Sequence, residues 1–147
     1  MSAGNANTCS GSKILMIDDD ANLVNVFRLV CEAKNYRFSS AHSAADGLKK
    51  IKEFEPDLII LDVIMEDFVA GFRVVSELRA AGPESGFAKY AHIPILMLTS
   101  VTARTSLDFR DRVGTALLPV DAFMEKPVKP TDILIRISEI LANRPSR

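Results

Sequence analysis

The most restrictive feature of the sequence is a short, almost unbroken apolar run, "DLIILD", at residues 57–62. A strand that leaves one face in water alternates apolar and polar residues, but this run has no polar face. It therefore predicts a strand buried on both sides, as in the centre of a parallel sheet. Two similar runs, "KILMID" at 13–18 and "IPILMLTS" at 93–100, predict further strands.

Weaker strands and amphipathic helices fill the intervals between these runs. Apolar residues at helical or alternating spacing predict strands at 36–41 and 121–126, and helices at 20–35, 43–54, 71–81, 102–113 and 130–144. Strands that alternate with helices favour a parallel sheet covered on both faces. The predicted fold is therefore an α/β domain with a doubly wound, five-stranded parallel sheet.

Composition narrows the possible functions. The chain has 147 residues, 48% of them hydrophobic, and a net charge of −1, which gives no bulk attraction to nucleic acid or to an anionic membrane. Its first twelve residues lack the basic and apolar segments of a secretory signal. We expect a flexible tail over 1–12, one domain over 13–143 and a C-terminal tail over 144–147. Two cysteines, Cys9 and Cys31, and no Cys/His cluster indicate a reducing, cytoplasmic location.

Acidic residues gather where the predicted strands end. Asp18 and Asp19 close the first strand and Asp62 closes the third, so these carboxylates converge if the two strands are neighbours. Carboxylate oxygens without nearby His or Cys favour Mg²⁺. Thr99 and Lys126 end the fourth and fifth strands, and they add a hydroxyl and an ammonium. Asp20, by contrast, is expected to cap the following helix.

This set of groups suits the transfer of a phosphoryl group to a carboxylate. Such transfer depends mainly on positioning and on neutralisation of charge, which a divalent cation and an ammonium can supply. An Asp can act as the nucleophile and form an aspartyl phosphate. Asp62 is the candidate because it alone ends the central strand, whereas Asp18 and Asp19 form a pair suited to a metal.

Four motifs in this order and spacing resemble the receiver domain of two-component response regulators: "ILMIDDD", "DLIILDVIM", "PILMLTS" and "DAFMEKPV". The resemblance extends from about Lys13 to Asn143. It implies the flavodoxin-like strand order 2-1-3-4-5, with Asp62 as phosphoacceptor. It further implies Asp18, Asp19 and the backbone carbonyl of Ile64 as Mg²⁺ ligands, Thr99 and Lys126 as phosphoryl-binding residues, Phe123 as the switch aromatic, and a cis peptide bond before Pro127.

The resemblance also implies a signalling switch rather than an enzyme with an external substrate. Its expected partners are a sensor histidine kinase or a histidine phosphotransfer protein upstream and an unknown protein target downstream. No DNA-binding segment follows Arg147 in this sequence, so we expect output through protein contacts. A stand-alone regulator, a phosphorelay intermediate and a receiver cut from a longer protein all fit this pattern.

Two other functions remain open at this stage. A pseudo-receiver would bind partners regardless of phosphorylation, although the complete acidic, hydroxyl and lysine set argues against it. A phosphatase resembling the haloacid dehalogenase family would carry a second Asp two residues after the nucleophile, where this chain has Ile64. A flavodoxin-like cofactor site is disfavoured because "DDDAN" would repel a phosphate.

The chain departs from the family pattern near the phosphoacceptor and in two connections. Glu66 takes the place of the usual proline, which adds negative charge close to the expected metal. The connections at 80–94 and 111–123 are longer than usual and carry glycine and proline. These differences predict a modified switch or an unusual partner.

Two apolar positions predict a long-lived aspartyl phosphate. In receivers, the residues two positions after the phosphoacceptor and two after the hydroxyl residue tune the phosphoryl lifetime; here they are Ile64 and Val101. Neither side chain can orient an attacking water by hydrogen bonding. We expect slow self-dephosphorylation, measured as loss of the phosphorylated species over time in Mg²⁺. A half-life of only seconds would contradict this expectation.

Overall fold

A single sheet of five parallel strands forms the centre of the protein. The computed structural model describes residues 11–62, 70–79, 86–100 and 122–143. The strands are β1 (Lys13–Ile17), β2 (Arg37–Ala41), β3 (Leu58–Asp62), β4 (Ile95–Ser100) and β5 (Ala122–Lys126). Their order is β2-β1-β3-β4-β5, which confirms the order implied by the resemblance.

Helices cover both faces of this sheet. They are α1 (Ala21–Ala33), α2 (Ala44–Phe54), α3 (Ala70–Arg79) and α4 (Pro130–Asn143), with a short 3₁₀-helix at Ala88–Tyr90. The helix predicted at 102–113 lies outside the described residues. Among the described helices, none combines the length and the apolar character that a bilayer-spanning segment needs.

The alternation of side chains along each strand produces two separate hydrophobic cores. On β1, Ile14 and Met16 pack on one face of the sheet with α1 and α4, which contribute Phe27 and Ile137 among others. Leu15 and Ile17 pack on the opposite face with α2 and α3. The side chains of residues 14–17 of β1 and 58–61 of β3 are fully buried on both faces, as expected for central parallel strands.

The ends of α1 follow from local hydrogen bonds. Asp20 is the N-cap, since its side chain accepts hydrogen bonds from the backbone N–H groups of Asn22 and Leu23, as predicted. The helix ends two residues earlier than the predicted range. Lys34 donates its backbone N–H to the carbonyl of Cys31, and Asn35 adopts a left-handed conformation with φ of 68°. Asn tolerates this conformation better than most residues.

Residues 86–94, the described part of the connection before β4, are held against the ends of α2 and α3. The Tyr90 hydroxyl donates to Glu55 Oε2 at 3.0 Å, and Lys89 Nζ lies 2.8 Å from the same oxygen. The Arg79 guanidinium donates to the carbonyls of Ala91 and Ile93 at 2.6 and 2.8 Å. These contacts brace the amino-terminal edge of the sheet, because Glu55 precedes β3 and Ile93 precedes β4.

Close packing of α2 against β1 constrains the residue that precedes Asp18. A Cβ added at Gly47 would lie 2.6 Å from Ile17 Cδ1 and 3.0 Å from Ile17 Cγ1. Although Ala favours helix more than Gly does, the Gly47→Ala substitution is expected to overpack this contact. We expect the free energy of unfolding to fall by about 1–3 kcal/mol, measured by urea denaturation.

A double-mutant cycle separates this contact from a general helix effect. Ile17→Val removes Cδ1, the atom that the new methyl group would meet first. The double variant should therefore be more stable than the sum of the two single effects predicts. Strict additivity would show that the close approach of Gly47 to Ile17 does not limit the residue at position 47.

Candidate functional site

Three carboxylates meet at the carboxyl-terminal edge of the sheet. β1 and β3 are neighbours, with Ile17 paired to Leu61, so Asp18 and Asp62 follow side by side. Asp18 and Asp62 are buried, with 1% and 5% exposure, whereas Asp19 is exposed. One oxygen from each of the three lies within 4.8 Å of the others. The convergence predicted from the sequence is therefore present in the structure.

Lys126 supplies positive charge at this edge. Its Nζ lies 3.2 Å from Asp18 Oδ2 and 3.5 Å from Asp62 Oδ1, and a quarter of its side chain is exposed. Burial alone would lower the pKa of Lys126. The negative charges of Asp18 and then Asp62, with hydrogen bonds to both, outweigh burial and raise this pKa above its usual value. The ammonium is therefore the stable form between the two buried carboxylates.

Asp18 is held from two sides. Its Oδ2 accepts a hydrogen bond from Lys126, and its Oδ1 accepts one from the backbone N–H of Asp20 at 2.9 Å. Asp20 is itself fixed by its capping role at the start of α1. The three consecutive acids therefore have different tasks: Asp18 and Asp19 contribute to the cluster, and Asp20 secures the turn between β1 and α1.

Of the other predicted site residues, Thr99 and Pro127 lie near the same edge of the sheet, whereas Phe123 lies near the start of β5. Thr99 lies near the end of β4, paired with Glu125 in β5, and Phe123 pairs with Met97. The Lys126–Pro127 peptide bond is cis, as the resemblance implies. Ile64 lies outside the described residues. The roles of Thr99 and Phe123 stay predictions, since only their backbone positions enter this description.

The chemistry of the three acids fits a hard divalent cation. All the available ligand atoms are carboxylate oxygens, which suit Mg²⁺ better than softer metals. Like charges this close raise the energy of the fully ionised cluster unless a cation neutralises them. Lys126 provides one positive charge for three carboxylates, so the cluster keeps negative charge that a metal ion can offset.

A pocket beside the acids was not predicted from the sequence. It has a volume of about 410 Å³ and extends from Asp18 and Asp19 along α1 and the end of β2, where Arg28 and Ser40 line it. A sequence signal was present, because Asn25 and Arg28 are polar residues three positions apart and share a helix face. The partner across the gap, Ser40, could not be identified without the β1–β2 pairing.

The comparison with protein families decides the identity of this domain. The family model described as "Response regulator receiver domain" matches residues 14–138. The chain belongs to this family. As a receiver domain, it is part of a signalling system and is not a classical enzyme.

Curated relatives contain this receiver as one part of a longer protein. The chain is 31% identical over 129 residues to the alkaline phosphatase synthesis transcriptional regulatory protein PhoP of Bacillus subtilis, covering 88% of this chain and 48% of that protein. It is 26% identical over 132 residues to the hybrid signal transduction histidine kinase B of Dictyostelium discoideum, covering 85% and 6%. The chain thus spans about half the length of the first of these relatives and a small part of the second.

Solved receivers share the fold. A CheY-like receiver domain protein of Methanospirillum hungatei aligns with a TM-score of 0.72 and 25% identity, covering 92% of this chain and 97% of that one. The chemotaxis response regulator CheY4 of Vibrio cholerae aligns with a TM-score of 0.70 and 24% identity, covering 89% and 99%. The similarity to CheY4, at 24% identity, supports the fold alone.

Replacing Lys126 by Met tests its role in the acidic cluster. The change leaves two buried carboxylates without the ammonium that lies within 3.5 Å of both. Breaking a fully buried ion pair costs about 3–5 kcal/mol. Because Lys126 is partly exposed, we expect a smaller loss, about 2 kcal/mol in the free energy of unfolding at pH 7 in EDTA, measured by urea denaturation.

Mg²⁺ should raise the melting temperature of the Lys126→Met variant more than that of the wild type, because the cation then neutralises charges that Lys126 no longer offsets. Lys129→Met is the matched control, since Lys129 is exposed nearby. Equal stability of Lys126→Met and wild type in EDTA would argue against the ion pairs with Asp18 and Asp62.

Proposed function

We propose that this receiver is a phosphorylation-activated switch that accepts a phosphoryl group on Asp62 with the help of Mg²⁺. One observation carries the proposal: the Lys126 ammonium lies within 3.5 Å of carboxylate oxygens of both Asp18 and Asp62. A solvated strand end would not need a partly buried lysine between two carboxylates. A site that receives a highly charged phosphoryl transition state needs this concentration of positive charge.

Asp62 is the nucleophile in this proposal. A lone pair of its carboxylate forms a new O–P bond while the bond from phosphorus to the donor breaks. The donor atom, an imidazole nitrogen of a phosphohistidine, keeps the electron pair of the broken bond. Lys126 offsets negative charge on the phosphoryl oxygens, since a lysine side chain is an ammonium at neutral pH.

Asp18, Asp19 and Asp62 would hold Mg²⁺, together with the backbone carbonyl of Ile64. When bound, Mg²⁺ supplies further neutralisation of the phosphoryl oxygens. The three carboxylates support this assignment because one oxygen of each lies within 4.8 Å of the others. The Asp20 N–H that binds Asp18 Oδ1 keeps this carboxylate oriented whether or not a cation is present.

Thr99 and Phe123 would report the phosphoryl group to the rest of the domain. β4 lies beside β3 in the sheet, and Thr99 directly follows Leu98, the partner of Asp62 in the register. A hydroxyl at this position would bind a phosphoryl oxygen. Phe123, in the neighbouring strand β5, would change its packing in response. This arrangement converts a local charge change into a change of surface.

We propose a sensor histidine kinase or a histidine phosphotransfer protein as the donor, and a protein of unknown identity as the target. The similarity to part of a hybrid histidine kinase supports a place in histidine-dependent phosphotransfer. Transcriptional control belongs to the relative PhoP, and the described residues offer no separate output module. A cytoplasmic location is part of the proposal, supported by the free, buried thiol of Cys31.

The pseudo-receiver alternative makes the opposite prediction about phosphorylation. Intact-mass measurement after incubation with acetyl phosphate and Mg²⁺ distinguishes the two. We expect the wild type to gain the mass of one phosphoryl group, because an acyl phosphate can transfer to a carboxylate nucleophile. Asp62→Asn should gain none, since the amide is a poor nucleophile.

Asp132→Asn is the matched control, because Asp132 is an exposed Asp in the first turn of α4. This variant should gain the same mass as the wild type. A wild type that stays unmodified while its Mg²⁺ binding is intact would favour the pseudo-receiver. If Asp62→Asn gained as much phosphoryl mass as the wild type, another residue would be the phosphoacceptor.

A further inference from the structure

The pocket between α1 and β2 has a size suited to a small molecule. Its volume of about 410 Å³ falls within the range of about 300–1,000 Å³ that is usual for ligand sites. Asp18 and Asp19 line one end, which we call the acidic end of the α1–β2 pocket. Arg28 follows the Asp20 cap by eight residues, or about 12 Å along the helix at about 1.5 Å per residue. The pocket therefore joins two regions of opposite charge.

Donor groups line the rest of the α1–β2 pocket. Asn25 and Arg28 come from α1, and Ser40 comes from β2. His42 is not counted with them, because it follows Ala41 at the acidic end and its Nε2 lies 3.3 Å from Asp46 Oδ2. Each of these side chains has at least one N–H or O–H group that can donate a hydrogen bond. Such a set is suited to an oxyanion, because carboxylate and phosphate oxygens accept several donors at once.

Arg28 is held in place before any ligand arrives. Its guanidinium donates to Asn25 Oδ1 at 3.0 Å and to Ser40 Oγ at 3.3 Å. The guanidinium carbon, Cζ, lies 5.5 Å from the centre of the Phe38 ring. Within the described part of the chain, these bonds take two of the five guanidinium N–H donors. A fixed guanidinium with donors to spare binds an anion at a lower entropic cost than a mobile one.

The charge of the acidic end determines when an anion can enter. Three carboxylates and the Lys126 ammonium carry a net charge of −2, which one divalent cation cancels. Without the cation, this charge repels an anion near Arg28. With the cation bound, the charges of the three acids and Lys126 are balanced, and Arg28 gives the pocket lining a net positive charge. The carboxylates of Asp20 and Asp46 are exposed and lie outside this lining. Binding of the cation at the acids therefore favours binding of the anion near Arg28, and the reverse also holds.

We propose that the α1–β2 pocket binds a small organic molecule bearing a carboxylate or phosphate group, with Arg28 as its anchor, when a divalent cation occupies the adjoining acids. The requirement for the cation rests on the proposed Mg²⁺ site. By reciprocity, the anion raises the affinity for Mg²⁺ by the same factor as Mg²⁺ raises the affinity for the anion. A small anionic metabolite thus raises the fraction of the receiver that holds Mg²⁺ and can be phosphorylated.

Titration of the ¹⁵N-labelled full chain with three probes of similar size tests the proposal. Benzoate and phenyl phosphate carry the two anionic groups, and benzamide is the uncharged control. With Mg²⁺ present, we expect saturable shifts at the amides of Asn25, Arg28 and Ser40 for at least one anion and none for benzamide. The anion that binds more tightly distinguishes carboxylate from phosphate recognition. Omission of Mg²⁺ should weaken the binding severalfold.

Arg28→Gln should weaken the binding about tenfold or more, because it removes a charge-assisted donor. Arg37→Gln is the matched control, since Arg37 is an exposed arginine in β2, and it should bind like the wild type. Should Arg28→Gln fail to fold, Arg28→Lys keeps the charge without the planar fork and should bind severalfold more weakly.

Three results would overturn the proposal: shifts that do not saturate, equal binding by the wild type and Arg28→Gln, or equal binding with and without Mg²⁺. The same spectra separate this inference from the proposed function. If Mg²⁺ shifts the Asp19 amide signal but no anion binds, the pocket proposal is wrong and the Mg²⁺ site stands. No Mg²⁺-induced shifts at Asp19 would remove the metal site, and with it the coupling proposed here.

Discussion

Repulsion among carboxylates confined to one sheet edge is the constraint on which the rest of the structure depends. Asp18, Asp19 and Asp62 offer oxygens within 4.8 Å of one another, and two of these residues are buried. Such an arrangement persists only because compensating groups reach it. Lys126 comes from β5, and the Asp20 N–H comes from the residue that caps α1. The strand order makes both approaches possible by placing β1 beside β3.

Burial makes this cluster sensitive to any change of charge. Charges in a site with little water interact more strongly than charges on an open surface. The arrival or loss of a dianionic phosphoryl group there would therefore change the local balance much more than the same event on an exposed loop. The neighbouring α1–β2 pocket shares Asp18 and Asp19 with the cluster, so any occupant of the pocket meets the same field.

Much of the fold could be predicted because its signals are local. Runs such as "LIIL" predicted buried strands, and Asp20 indicated the start of α1. The convergence of Asp18 and Asp62 required one further assumption, that β1 and β3 are neighbours. Contacts between distant side chains had no such signal. The Arg28–Ser40 and Tyr90–Glu55 hydrogen bonds depend on how whole elements pack, so neither was predicted.

The contacts of Arg79, Glu55 and Tyr90 lie far from the acidic cluster. They lie before β3 and β4, whereas the acids lie after β1 and β3, at the opposite ends of strands about 16 Å long at about 3.3 Å per residue. The connection that leads into β4 is therefore anchored at the end of the sheet remote from the acids. Insertions or substitutions in that connection during evolution can change the surface of the domain without changing the acidic cluster at the other end of the sheet.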